Sequence, residues 1–261
     1  MDLPVFSLSL IQGFLICLAR VAAMFAAIPV FSGGQIPPQL RLAVAVLFAM
    51  LTYPIVQDYI PAGSLTPLDL GLLISAEVIL GLLVGFLAQL AFMAAEFAGS
   101  VIGYQMGFAA ANIFDPSTQS QVALISRFQG IFAILLFLSL NIHHLFLEAI
   151  VASFEMLPPG SLTLSGGAIP MIVEVANHSL VLSIRLVAPI LVLLTLSTLT
   201  LGIMSRVFPQ LNVFMISFPL NIGISFIVMG LTLGIVANLL RDEFFSLPER
   251  FLNLFSLMSF F

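Results

Sequence analysis

The chain has few charged residues, no lysine and a single cysteine, and each shortage excludes a class of protein. Charged residues make up 7% of the 261 positions and hydrophobic residues 61%, whereas a soluble domain carries about 25% charged residues. The composition therefore predicts an integral membrane protein or the core of a membrane complex. All seven basic residues are arginines, which suit fixed or buried pairing better than a solvated cationic surface.

The net charge, the single cysteine and the absence of known motifs exclude further classes of function. The net charge of −5 and the lack of a basic cluster argue against nucleic-acid binding. Cys17 alone excludes an intrachain disulfide and most metal frameworks. His144 and Glu148 could share a helix face, but no further ligand lies nearby in sequence, and no motif for metal, nucleotide or nucleophilic chemistry occurs. We therefore expect a non-enzymatic protein with no metal and no cofactor.

Six long apolar segments remain, and each is interpreted as a helix. They cover residues 5–31, 40–57, 68–111, 122–157, 171–205 and 211–240. Prolines and glycines at residues 158–170 form the longest interruption, which divides an N-terminal four-helix part from a C-terminal hairpin. The turn of this hairpin contains Arg206, Pro209, Gln210 and Asn212. The first apolar run is too long for the core of a signal peptide, and we expect it to be retained.

Small residues recur at every fourth position in the third segment. The row consists of Ala91, Ala95, Gly99, Gly103, Gly107 and Ala111. This spacing places neighbours on one side of a helix, where the lack of bulk lets a second backbone approach closely. Each glycine costs about 1 kcal/mol relative to alanine in a helix interior, a cost that an isolated span would not offset. The row therefore predicts a helix-packing seam, within the chain or with another subunit.

A loop with an apolar tip follows this row. The candidate gate residues are Met106, Phe108, Ile113, Phe114, Asp115 and Pro116. A flexible methionine and flat phenylalanines on a glycine-rich support can close a gap of variable shape, and an apolar constriction gates by excluding water. The same side chains could instead anchor the loop into the protein core, so both interpretations stay open.

Ionisable residues also occur inside the apolar segments. They are Arg20, Glu77, Glu96, Arg127 and Arg185. Left unpaired in hydrocarbon, each would be costly, so they indicate either an ion path or structural pairing inside a bundle or with another subunit. The separation of Glu77 from Glu96 corresponds to about 100° of rotation on a helix. The two acids do not share a face, as the acids of a proton relay would, and this favours pairing.

Three blocks of the sequence resemble a known family. They are Arg20-Val21 with Ile28-Pro29-Val30-Phe31, Ile36-Pro37 and Arg41-Leu42; Gly103-Tyr104-Gln105-Met106-Gly107-Phe108 with Phe114-Asp115-Pro116; and Arg206-Val207-Phe208-Pro209-Gln210-Leu211-Asn212-Val213-Phe214 with Phe218-Pro219-Leu220. They follow the order of the FliR family of type III export gates and span nearly the whole chain. One departure is Ser217, where many members have glycine before Phe-Pro.

The resemblance implies an all-α integral membrane protein, in which about six long, partly kinked helices form part of a hetero-oligomeric helical cone. Residues 1–160 would be a FliP-like part that includes a plug-like loop at 108–121. Residues 171–240 would be a FliQ-like hairpin, and 241–261 a C-terminal tail. The implied function is that of a channel subunit that forms and gates the pore for unfolded substrates of flagellar type III export.

The resemblance also implies partners and a location. The partners would be FliP-like and FliQ-like subunits, FlhB-like and FlhA-like components, and unfolded export substrates. The complex would stand in the bacterial inner membrane, within the flagellar basal body, and project to the periplasmic side. Two alternatives stay open: the equivalent subunit of a virulence secretion system, and an ion-coupled permease. The buried ionisable residues and the helix prolines Pro189 and Pro219 would suit the permease.

Overall fold

The computed structural model is helical, and it describes residues 7–29, 37–61, 63, 65–107, 120–162, 166–210 and 212–259. The helices are α1 (Leu8–Ala27), α2 (Pro38–Val56), α3 (Pro67–Gln105), α4 (Ser120–Ser139), α5 (Ile142–Met156), α6 (Ala168–Val207) and α7 (Val213–Met258), and a short 3-10 turn (Gln57–Tyr59) follows α2. These ranges contain no strand. Within them, five helices are long and apolar enough to cross a membrane, and the bent pair α4–α5 could form a sixth span. The predicted all-α membrane fold is confirmed.

Side-chain caps explain where two of the helices begin. The Ser7 hydroxyl accepts a hydrogen bond of 3.4 Å from the backbone N–H of Leu10 at the start of α1. Before α3, the Thr66 hydroxyl accepts from the Asp69 N–H at 3.3 Å and donates to the Asp69 carboxylate at 2.6 Å. Such caps satisfy N–H groups that have no partner within the helix, and they fix the starting points of α1 and α3.

Three helices are longer than a bilayer requires. Helices α3, α6 and α7 have 39, 40 and 46 residues. At 1.5 Å per residue they are roughly 58–69 Å long, compared with about 30 Å of hydrocarbon. The third predicted segment, residues 68–111, is one continuous helix that ends at Gln105, before its predicted end. Each of these helices must reach beyond the hydrocarbon layer.

The structure corrects two predicted helix boundaries. The segment 122–157 is two helices, α4 and α5, and between them Asn141 adopts a left-handed conformation with φ of 57°. Asparagine tolerates this region better than most residues. The last helix does not end near residue 240 but continues to Met258, because buried residues recur there at helical spacing. They are Phe244, Leu247, Phe251, Leu254, Phe255 and Met258.

The chain packs into two compact units. Unit 1 takes the described residues within Met1–Leu90, Asn141–Ala176 and Phe245–Phe261, and unit 2 those within Ala91–Leu140 and Asn177–Phe244. In unit 1, Phe25 stacks on Phe48 with ring centroids 4.9 Å apart. In unit 2, Phe92, Phe137 and Phe244 form a cluster with centroids 5.1–5.4 Å apart. The FliP-like and FliQ-like division rests on the resemblance and stays a prediction.

Candidate functional site

The small-residue row of α3 packs against α4 at Gly99, inside unit 2. Its buried members are Ala91, Ala95, Gly99 and Gly103. A Cβ atom at Gly99 would lie 2.6 Å from the Ser126 Cα atom and 2.8 Å from the Ile125 carbonyl oxygen. The Ser126 hydroxyl also donates a hydrogen bond of 2.8 Å to the Glu96 carbonyl oxygen. At Gly99 the row is therefore a seam within this chain, where two helix backbones touch and no side chain fits.

Gly81 and Gly85 of α3, which were not predicted as packing residues, make a similar contact in unit 1. A Cβ atom at Gly81 would lie 2.7 Å from both the Ala23 Cβ atom and the Arg20 carbonyl oxygen of α1. Four residues later, Gly85 faces Ala27 in the same way. The spacing of four that marked the later row was present here too, and would have identified this pair.

Helix α3 ends at the base of the predicted plug. Met106 is fully buried, and Gly107 has φ of 90°, a conformation that glycine adopts without steric cost. A Cβ atom at Gly107 would lie 2.7 Å from two ring carbons of Phe218 on α7. Gly107 and Phe218 belong to two different sequence blocks that resemble the family, so these two blocks are in contact here. The ring of Phe218 occupies the space that any side chain at Gly107 would need.

The remaining predicted gate residues lie outside the described part of the chain. They are Phe108, Ile113, Phe114, Asp115 and Pro116, and Ala111 of the small-residue row lies there too. Their role in closing a pore stays a prediction. The described residues contribute the end of α3, at Met106 and Gly107, from which this segment departs.

Arg20 and Glu77 are brought together in unit 1. Both are buried, with 1% and 2% of their surface exposed, and the Arg20 Nε atom donates to the Glu77 carboxylate. The guanidinium also donates to the carbonyl oxygens of Ser153 and Leu157 at 2.8 and 2.9 Å, and it lies 4.0 Å from the ring centroid of Phe154. The Ser153 carbonyl also accepts from the Leu157 N–H, whereas the carbonyl of Leu157, the C-cap of α5, is one of those that lack a partner within the helix, so Arg20 caps α5 while it pairs with α3.

The other three predicted pairing residues are placed differently. Glu96, Arg127 and Arg185 are exposed, and no ion pair within the described ranges involves any of them. The Glu96 carboxylate lies over Gly130 of α4, where a Cβ atom would be 2.8 Å from its Oε1 atom. Pairing of these residues with another subunit stays a prediction.

The predicted hairpin turn joins α6 to α7. Arg206, Pro209, Gln210 and Asn212 are all exposed there. The Asn212 side chain accepts a hydrogen bond of 3.3 Å from the Met215 N–H, which caps the start of α7. Arg206 lies in the last turn of α6, where a cation interacts favourably with the negative end of the helix dipole.

Two polar pairs that were not predicted from the sequence link α6 to α7 in unit 2. His178 Nε2 lies 3.0 Å from a carboxylate oxygen of Glu243. The Ser197 hydroxyl donates to the Asn221 side-chain oxygen at 2.9 Å. The first pair could not be expected while Glu243 was assigned to a tail. Among the described residues, no group of three or more acidic, histidine or cysteine side chains could hold a metal ion.

Comparison with known proteins places this arrangement in a family. Residues 11–247 match the family model described as "Bacterial export proteins, family 1". The chain is 32% identical to the flagellar biosynthetic protein FliR of Bacillus subtilis (strain 168), over 96% of this chain and 97% of that protein. It is 29% identical to FliR of Escherichia coli (strain K12), over 88% and 92% of the two chains. It is 32% identical to FliR of Pectobacterium carotovorum subsp. carotovorum, over 87% and 88%. The chain therefore belongs to family 1 of the bacterial export proteins, the family to which FliR belongs.

Proposed function

We propose that this chain is a non-enzymatic channel subunit of the flagellar type III export apparatus, which forms and gates the pore for unfolded export substrates. The observation that carries the proposal is the family match over residues 11–247. Relatives named flagellar biosynthetic protein FliR align with nearly the full length of the chain. The aligned region therefore includes the α3 seam, the plug-like segment and the α6–α7 hairpin.

The helix packing supports a role in the wall of a channel. A narrow channel built from helices needs them to pack closely, and the glycine contacts of α3 at Gly81 and Gly99 supply such packing. Long apolar helices with many exposed apolar residues suit a chain that other subunits or lipid cover. We propose FliP-like and FliQ-like chains as the covering subunits, with FlhB-like and FlhA-like components as further partners.

The base of the plug-like segment supports a gate. Gly107 turns the chain out of α3 with a left-handed backbone against Phe218. The segment that follows carries Phe108, Ile113 and Phe114, whose side chains would exclude water from a narrow opening. We propose that this segment closes the pore until a substrate passes, within a complex in the inner membrane that projects to the periplasmic side.

Deletion and purification test the proposal. A strain that lacks this chain should lose swimming motility and secretion of flagellar subunits, and expression of the intact chain should restore both. Purification in mild detergent should yield a hetero-oligomer with FliP-like and FliQ-like chains. A monomer that transports a small solute in liposomes would instead support an ion-coupled permease. Normal motility with loss of effector secretion would indicate a virulence system.

A further inference from the structure

We propose that one face of unit 2 binds an apolar helix from another subunit, and that this helix places a cation opposite Glu96 and a carboxylate opposite Arg127. We call it the Glu96–Arg127 face. It consists of Glu96 and Arg127 with the exposed apolar residues Met93, Phe97, Phe128 and Ile131. The inference rests on the proposed function, because it specifies the chemistry of a partner within the export complex.

The two helices present these residues on the same side. Helices α3 and α4 run antiparallel, since Phe92 packs on Phe137 and Gly99 on Ser126. Exposed residues recur along each helix at spacings of three and four, which keeps them on one stripe. The Glu96 carboxylate of α3 lies next to Gly130 of α4, and Gly130 is about one helical turn from Arg127 on that helix. The stripes therefore join into one continuous face.

The two charges of this face have no partners within the described chain. Within the described residues, neither the Glu96 carboxylate nor the Arg127 guanidinium takes part in an ion pair, and the hydrogen bonds that Glu96 accepts go to its backbone carbonyl oxygen. Gly130 has a role in this arrangement, because a side chain at that position would displace the Glu96 carboxylate. The fold thus presents a carboxylate and a guanidinium on one face without joining them in an ion pair, and both charges are left to be neutralised by a partner.

Neither lipid nor water suits this face. In hydrocarbon, an unpaired glutamate or arginine is costly. In water, Met93, Phe97, Phe128 and Ile131 would leave 44–51% of their surfaces exposed as one apolar patch. A protein helix that is apolar along its length and carries two matching charges satisfies both requirements. Opposed charges also fix the register of such a helix against α3 and α4.

Charge variants test the inference in the purified complex. Glu96→Gln and Arg127→Gln should each lower the amount of co-purified partner subunits roughly tenfold or more, because each leaves a charge of the partner unpaired. The double variant Glu96→Arg/Arg127→Glu should not recover assembly, since both positions would then face like charges. The matched control is Glu155→Gln, at an exposed glutamate of α5 in unit 1, and it should assemble as the wild type does. Recovery of assembly in the double variant would mean that Glu96 and Arg127 pair with each other, and would overturn the inference.

Crosslinking tests the same face without changing its charges. A photoreactive benzoylphenylalanine at Phe97, in the otherwise unaltered chain, should form a covalent adduct with another subunit in membranes. The captured peptide should be apolar and contain both a basic and an acidic residue. Adducts only with lipid, or with a second copy of this chain, would overturn the inference. Purification of the wild-type chain without other subunits would contradict the proposed function as well as this inference. An intact complex that tolerates both single variants would contradict this inference alone.

Discussion

At the scale of single residues, Arg20 joins three helices of unit 1. Its guanidinium pairs with Glu77 of α3 and donates to two carbonyl oxygens at the end of α5. A buried ion pair contributes little net stability compared with a well-packed apolar replacement, yet removing one partner leaves the other charge uncompensated. We therefore infer that Arg20 contributes mainly to the specificity of the fold, because its contacts fix how α1, α3 and α5 pack together.

Replacing Arg20 should destabilise unit 1 strongly. Arg20→Met leaves the Glu77 carboxylate buried without a cation, at a cost of about 3–5 kcal/mol. The double variant Arg20→Met/Glu77→Leu should recover part of that loss, because no isolated charge remains. The apparent melting temperatures of the detergent-purified single and double variants measure the coupling. Losses that simply add in the double variant would contradict the pairing.

A bulky residue at the α3 seam should separate α3 from α4. In Gly99→Leu, the new side chain meets the Ser126 backbone, and such overpacking costs about 1–3 kcal/mol. Gly71→Leu is the matched control, since it lies on the same helix with no atom within 4 Å of its Cβ position. The melting temperature and the yield of assembled complex should fall for Gly99→Leu only. Equal effects in both variants would indicate a general intolerance of leucine in α3.

At the scale of elements, the junction between α4 and α5 depends on one backbone conformation. Asn141 is exposed, so its role is to adopt the left-handed region, with φ of 57°. Asn141→Val should destabilise the junction by about 1–2 kcal/mol, whereas Asn141→Gly should be nearly neutral. Thermal unfolding of the purified variants gives the comparison. A glycine variant as unstable as the valine variant would show that the side chain of Asn141 matters rather than its backbone.

The helices were predictable from the sequence, but some of their ends were not. Apolar runs and turn residues indicated each span, because burial and backbone hydrogen bonding leave few alternatives in a membrane. The break at Asn141 has only a weak local signal, since no proline or glycine stands there. The continuation past residue 240 was concealed by Arg241, Asp242 and Glu243. Arg241 and Asp242 are exposed on a helix whose other side is buried, and Glu243 lies on the buried side, where it contacts His178.

At the scale of the whole molecule, the roles of certain residues in packing and ion pairing were predictable from the sequence, but the residues that they contact were not. The row of small residues indicated close packing, but nothing in Ser126 marks it as the residue that receives Gly99. Likewise, five ionisable residues predicted pairing in general, whereas the choice of Glu77 for Arg20 depends on how α1 and α3 cross. Such long-range choices are made by the packing of several helices together.

Shortening the plug-like segment should make the assembled complex leak. Deletion of residues 112–117 removes the apolar tip at Ile113 and Phe114, and a seal of apolar side chains fails by admitting water and ions. Membrane-potential loss in expressing cells, with co-purification in parallel, measures both outcomes. The variant Ile113→Ser/Phe114→Ser keeps the segment length and should leak as well. An assembled complex that stays tight to ions in both variants would place the closure in the partner subunits.

The cluster at Arg20 can be completed only late in the synthesis of the chain. As the chain leaves the ribosome, Arg20 emerges 57 residues before Glu77 and 133 residues before Ser153. At a synthesis rate of about 5–20 residues per second, roughly 3–11 s pass between the synthesis of Arg20 and that of Glu77, and a longer time passes before the end of α5 is made. Until α3 and α5 have been synthesised, the Arg20 guanidinium is therefore without the partners that it has in the folded chain. A chain truncated before α5 would lack the Ser153 and Leu157 carbonyl oxygens, so two of the hydrogen bonds of Arg20 could not form.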